Sequence, residues 1–270
     1  MQARQLPAER GAFWLLEGVR LFRRNPPLIS ALTLAYLLIL QLLAVLLPGL
    51  GPILLPLILP ALTLIVANGC RLVDLNRPPT KAGLLHGLSG NGPAMLRLGG
   101  LQLLGAVLLL LLNMALGDGN DPFAAMEQAA NPPNLGGGET PPADPAAEAA
   151  MLGALARLLL LASPLIIAFW FAPFLVGWER VPPVKALFFS TVASLRNWRA
   201  MLFFGLATLF FAAIVPGFIL IVLGQLSGMA LSAAFIALRL ILVFFVAPVL
   251  TASIYVSYRD IFQRSVDESA

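Results

Sequence analysis

The sequence predicts an all-α membrane protein: six transmembrane helices in three hairpins, with short in-plane amphipathic helices on the cytoplasmic side. Three observations carry this reading. Of the 270 residues, 59% are hydrophobic and only 11% charged, less than half the roughly 25% usual in soluble domains. The apolar residues gather into runs of about 20, long enough as helices to cross a roughly 30 Å hydrocarbon layer. The basic residues cluster in alternate connections between those runs. In water such a chain would expose large apolar patches, a problem that lipid removes.

The first apolar run covers residues 27–47 and the second 53–70. The breaker-rich turn Pro48-Gly49-Leu50-Gly51-Pro52 between them makes an antiparallel hairpin. A signal peptide is the competing reading of the first run. It fails because the run is too long and leads directly into another spanning segment. Further runs cover residues 95–116, 155–177, 201–223 and 231–256. The stretch 216–228 is too apolar to show where the fifth helix ends. Its Gly224-Gln225-Leu226-Ser227-Gly228 matches a helix-packing GxxxG pattern but reads first as a turn.

Every Lys and Arg except Arg157 and Arg239 belongs to one set of connections. The longest opposite connection, 117–150, carries Asp118, Asp121, Glu127, Glu139, Asp144 and Glu148 and no basic residue. The positive-inside rule then puts both termini in the cytoplasm and 117–150 in the periplasm. That loop is rich in Ala, Pro and Gly, so a disordered acidic spacer is expected within a single polytopic domain spanning 1–270.

Three segments on the basic side share a plan, a short surface stretch that turns into a spanning helix. They are residues 13–26, 84–93 and 185–198, with Asn25, Asn91 and Asn197 at the corners. Asn suits a helix N-cap, and Pro26 suits the first helical position, where no N–H bond is lost. In the first segment Glu17, Arg20 and Arg24 fall on a polar stripe. Ala12, Leu15, Val19 and Phe22 fall on an apolar one, with Trp14 at headgroup depth. The even-numbered runs carry Pro60, Pro173 and Pro248 in matching places, which suggests three related hairpins with kinked second helices.

Little in the sequence points to catalysis. One cysteine, Cys70, and one histidine, His86, exclude an internal disulfide and the usual zinc or haem sites. No CxxC, P-loop or HExxH pattern occurs. Glu17, Asp74, Glu179 and Asp260 read as scattered carboxylates. Ser190, Thr191 and Ser194 lack a nearby general base and read as the polar face of a surface helix. No enzyme activity, cofactor or metal is therefore expected. The net charge of +4 and pI near 9.8 point to anionic lipid headgroups, not nucleic acid, because the basic residues flank apolar runs. Candidate headgroup contacts are Arg20, Arg23, Arg24, Arg196 and Arg199 on the inner side. Arg157 and Arg239 near the outer boundary either snorkel to headgroups or face a polar cavity that holds one.

The surface helix, the Arg196-Asn197-Trp198 corner, the proline-bearing even helices and the closing Tyr258-Arg259-Asp260-Ile261 resemble a family of uncharacterised six-helix inner-membrane proteins of Gram-negative bacteria. More distantly they are similar to the membrane domain that accompanies glycerophosphodiester phosphodiesterases. The resemblance implies a multi-pass protein of the bacterial inner membrane. The chain has no room for the soluble phosphodiesterase domain, so that activity is not carried over. Two functions stay open. One is a non-enzymatic scaffold or accessory protein that organises lipid or a membrane-protein partner. The other is a transporter or channel for a hydrophobic or lipid-like substrate.

Overall fold

A computed structural model describes residues 3–47, 49–116, 145–223 and 229–262. The connection 117–144, read as a disordered loop, and the GxxxG stretch 224–228 lie outside the described residues. All regular structure among the described residues is helical. Among the described residues six helices are long and apolar enough to span a membrane; the protein is an all-α membrane protein.

Helix α1 (Arg10–Arg24) precedes the first span, α2 (Pro26–Leu46). The corner forms as the sequence predicts. The Asn25 side chain accepts from the Leu28 N–H at 3.2 Å, and Pro26 opens the helix. The second span is α3 (Gly51–Asp74), followed by the single turn α4 (Lys81–Leu84) and the third span α5 (Gly92–Leu116). The fourth span runs from α6 (Pro145–Phe169) into α7 (Ala172–Gly177), and α8 (Pro183–Arg196) comes after it, outside the spans. The fifth span joins α9 (Trp198–Leu209) to α10 (Val215–Leu223), and the sixth joins α11 (Met229–Ile241) to α12 (Ala247–Phe262). Several helices run past the apolar stretches. Arg71, Asp74, Arg259 and Asp260 are thus helical residues and not loop residues.

Irregular helix accompanies proline in the fourth, fifth and sixth spans, whereas α3 runs unbroken through Pro56 and Pro60. A proline lacks the N–H that would bond to the carbonyl four residues earlier, and its ring crowds that carbonyl. In the sixth span this site widens into a π-turn, Leu242–Val246, just ahead of Pro248. The freed Phe244 carbonyl accepts instead from the Ser30 hydroxyl of α2, at 3.3 Å. A second π-turn, Phe210–Ile214, precedes Pro216 in the fifth span. In the fourth span the chain breaks at Trp170 and Phe171 before Pro173. Ser190 of α8 repairs the break: its hydroxyl accepts from the Phe171 N–H at 3.0 Å and donates to the Ile167 carbonyl at 3.2 Å. Pro60, Pro173 and Pro248 are all buried.

The core is strongly biased toward one end. Its buried residues lie in α1, the start of α2, the last turns of α3, the start of α5, α7 and the residue before it, α8, the start of α9 and α12. This end carries the arginines of α1 and α8 and is the basic end of the molecule. Toward the opposite end the spans leave Leu46, Leu108, Met114, Leu160 and Phe211 exposed, as surfaces facing lipid do.

The structure corrects one expectation about α1. The stripe in contact with the protein is Gly11, Trp14, Gly18, Leu21 and Phe22, rotated by about one residue from the predicted apolar face. Gly11 and Gly18 cause the rotation. A Cβ on Gly11 would run into the Ala200 carbonyl of α9, and one on Gly18 into Ser253 of α12. The two glycines let α1 lie backbone-close against both helices, and a hydrophobicity pattern does not see that. Trp14 is therefore fully buried, packed edge-on against Phe204, and does not face outward toward headgroups.

Candidate functional site

The four carboxylates that look scattered in sequence converge at the basic end. Arg259 in α12 is the hub. Its Nη1 donates to Asp74 Oδ2 and Oδ1 at 3.1 and 3.3 Å, and its Nη2 bonds Glu17 Oε2. Arg10 reaches Asp260 and, at 3.4 Å, the other oxygen of Glu17. Trp14 Nε1 donates to Asp260 at 3.1 Å, Tyr255 to Asp74 at 3.0 Å, and Tyr258 to Glu179 at 3.2 Å. Arg24 adds a long contact to Asp74 at 3.5 Å. Glu17 therefore turns toward the protein and not toward water, a second correction to the predicted polar stripe. Its main cause is Arg259, 242 residues away along the chain.

Three carboxylates, Glu17, Asp74 and Asp260, meet three guanidinium groups, Arg10, Arg24 and Arg259, so the cluster is balanced in charge. Its carboxylate oxygens point at cations or at N–H and O–H donors. Such an arrangement ties α1 to α3 and α12. Beside it, Phe171, Phe174, Trp178, Tyr255, Tyr258 and Phe262 fill the centre of the basic end. The Trp178 and Tyr258 rings lie 4.9 Å apart, and those of Phe174 and Tyr258 5.2 Å apart.

Asparagines lock the connecting segments to this plug. Asn68 accepts from Trp178 Nε1 at 2.7 Å and donates to the carbonyls of Leu84 and His86 at 2.9 and 2.8 Å. Asn91 donates to the Val176 carbonyl at 2.8 Å. Asn197 accepts from the Leu6 N–H and donates to the Arg4 carbonyl, both at 2.8 Å. Of the three corner asparagines only Asn25 caps its helix. Asn91 and Asn197 spend their amides on neighbouring segments, because those segments present unpaired backbone groups in the buried corner.

The predicted headgroup arginines are placed differently from one another. Arg196 and Arg199 line one open cavity of about 580 Å³ together with Asn197, Trp198 and the tethered segment from Gln5 to Ala8. The Arg199 guanidinium lies over the Trp198 ring, 5.4 Å from its centre. Arg20 and Arg23 are exposed on the outer face of α1 beside Phe13 and Leu16, while Arg24 is partly tied to Asp74. Arg157 and Arg239 belong to different surroundings. Arg157 contacts the Leu116 carbonyl at the end of α5, at 3.4 Å, with its Nε buried and unpartnered; Arg239 is exposed on α11. Sequence reasoning missed the Arg259 hub. The one local sign of it was the apolar-flanked Tyr258-Arg259-Asp260 itself.

Fold and site together define a polytopic α-helical membrane protein whose basic end is locked by ionic, amide and aromatic contacts. No protein-family profile and no solved structure matches the chain. A protein of Burkholderia thailandensis described as a probable inner membrane protein is 34% identical over 267 residues, covering 97% of this chain and 94% of that protein. The chain belongs to the family of that inner-membrane protein and is itself a multi-pass protein of the inner membrane. The likeness to the membrane domain of glycerophosphodiester phosphodiesterases finds no support in these comparisons.

Proposed function

We propose that the protein is a non-enzymatic scaffold or accessory protein. Its basic end faces the cytoplasm and gathers anionic lipid headgroups beside a membrane-protein partner. One observation carries this reading. The basic end is filled by a buried aromatic plug, while Arg20, Arg23, Arg196 and Arg199 point outward around it. A closed centre with a cationic rim suits attraction to headgroups, where each Lys or Arg contributes about 1 kcal/mol. The cytoplasmic orientation rests on the same rim through the positive-inside rule.

A second reading, movement of a lipid-like substrate, is favoured by a different observation. Trp170 Nε1 and Thr208 Oγ1 are buried without hydrogen-bond partners. Thr208 lies one turn beyond Phe204, against which Trp170 packs at 5.9 Å. Unpaired polar atoms between the fourth and fifth spans are where a polar lipid group would fit. Proteoliposomes that hold a fluorescent phospholipid in one leaflet separate the two readings. The scaffold reading expects transbilayer exchange at the protein-free rate. Protein-dependent exchange that is lost in Thr208→Val would replace it with the transport reading.

A further inference from the structure

A second basic pocket opens where α3 leaves the membrane. It has a volume of about 110 Å³ and is lined by Asn68, Arg71, Arg77, Gly83, His86 and two leucines. No carboxylate lines it. Among the described residues neither Arg71 nor Arg77 is paired with an acid. The pocket is about one-fifth the volume of the Arg196 cavity, a size for a compact anion and not for a whole lipid.

Its walls are held in place by the backbone. Asn76 adopts the left-handed conformation, with φ at 51°. The Asn76 N–H bonds the Val73 carbonyl at 3.1 Å and the Arg77 N–H the Leu72 carbonyl at 2.8 Å. This Schellman-type ending of α3 folds Arg77 back over the helix end. Pro78 and Pro79 stiffen the link to α4, and Thr80 caps that helix by accepting from the Gly83 N–H at 3.1 Å. Across the pocket, Asn68 fixes the backbone of Leu84 and His86. The Arg71 guanidinium lies 5.2 Å from the centre of the Trp178 ring. This cation–π contact positions the Arg71 guanidinium and leaves N–H groups for an acceptor. Two guanidinium forks, with the His86 imidazole at the rim, match the oxygens of a phosphate group; the Asn68 amide is spent on the wall itself.

We infer that this pocket binds a phosphate group, carried either by a phospholipid headgroup or by a free phosphate. The site is distinct from the Arg196 cavity and does not depend on the scaffold reading. The test uses the full chain in phosphatidylcholine nanodiscs. One arm titrates inorganic phosphate calorimetrically. The other adds phosphatidic acid to the bilayer and reads retained lipid by native mass spectrometry. Arg77 is exposed at the end of α3, so Arg77→Gln leaves the fold intact. It is expected to weaken binding about tenfold, equal to ~1.4 kcal/mol, and Arg71→Gln/Arg77→Gln to abolish it. Arg196→Gln/Arg199→Gln is expected to leave the phosphate response unchanged, so failure here and failure of the scaffold reading are told apart. A response to inorganic phosphate assigns a free phosphate; retention of phosphatidic acid without that response assigns a headgroup. Binding of neither probe, or binding equal in wild type and Arg77→Gln, overturns the inference.

Discussion

Replacing Arg259 with Gln is expected to release α1 from the rest of the bundle. Arg259 donates to both Asp74 and Glu17, whose side chains keep only 16% and 22% of their exposure. Breaking a fully buried ion pair costs about 3–5 kcal/mol, because the remaining charge stays desolvated. A surface pair is worth about 0–1 kcal/mol. Arg259 itself is 31% exposed, so the cost lies between these limits, at about 2–4 kcal/mol. Denaturation of the purified protein in detergent reads this as a lower midpoint, and hydrogen exchange of the α1 amides gives the local readout. The partner substitution sharpens the test. With Glu17→Gln added, one orphaned carboxylate disappears, so the double variant is expected to lose at least about 1 kcal/mol less than the sum of the single losses. An unchanged midpoint with α1 still protected would refute the view that the Arg259 cluster holds this helix.

Packing and charge distribution lead to further expected outcomes. Gly18→Val places methyl groups where Ser253 and the Val249 carbonyl already stand. A loss of about 1–3 kcal/mol or more is expected, whereas Leu16→Val, on the exposed face of α1, is expected to change the midpoint little. Ser30→Ala leaves the Phe244 carbonyl without its replacement donor and is expected to cost about 1 kcal/mol, measured by the same denaturation series. For topology, a reporter fused after Gly138 is expected to be active only if it works in the periplasm; activity of a cytoplasmic reporter there would invert the proposed orientation.

The sequence is most informative where the physics is local. Runs of apolar residues disclose the six spans, because length against bilayer thickness is decided within each segment. Asn25 and Pro26 disclose the first corner, because a cap and a first-turn proline act within four residues. Pro173 and Pro248 disclose irregular helices in the fourth and sixth spans, although Pro60 sits inside the unbroken α3, and the sequence does not disclose that Ser30 and Ser190 would supply the missing hydrogen bonds from other helices. The face of α1 is misread because glycines mark close contact by what they lack. The site is illegible for a related reason. Glu17 and Arg259 are 242 residues apart, and Arg10 and Asp260 are 250 apart, so only the docking of α1 on α12 turns isolated charges into a cluster. The Arg196-Asn197-Trp198 corner stands between these cases. Its charges are visible as a headgroup candidate, but the cavity they line needs the N-terminal segment that Asn197 holds.

The central claim, that the rim around the plugged basic end captures anionic lipid, is tested most directly by lipid selectivity. The full chain is reconstituted in bilayers mixing phosphatidylcholine with phosphatidylglycerol, and the lipid retained on release is measured by native mass spectrometry. Wild type is expected to retain phosphatidylglycerol beyond its share of the bilayer. Arg196→Gln/Arg199→Gln, which leaves the Asn197 tether in place, is expected to lose most of that enrichment. Retention in proportion to bilayer composition by the wild type, or undiminished enrichment in the double variant, would contradict the claim.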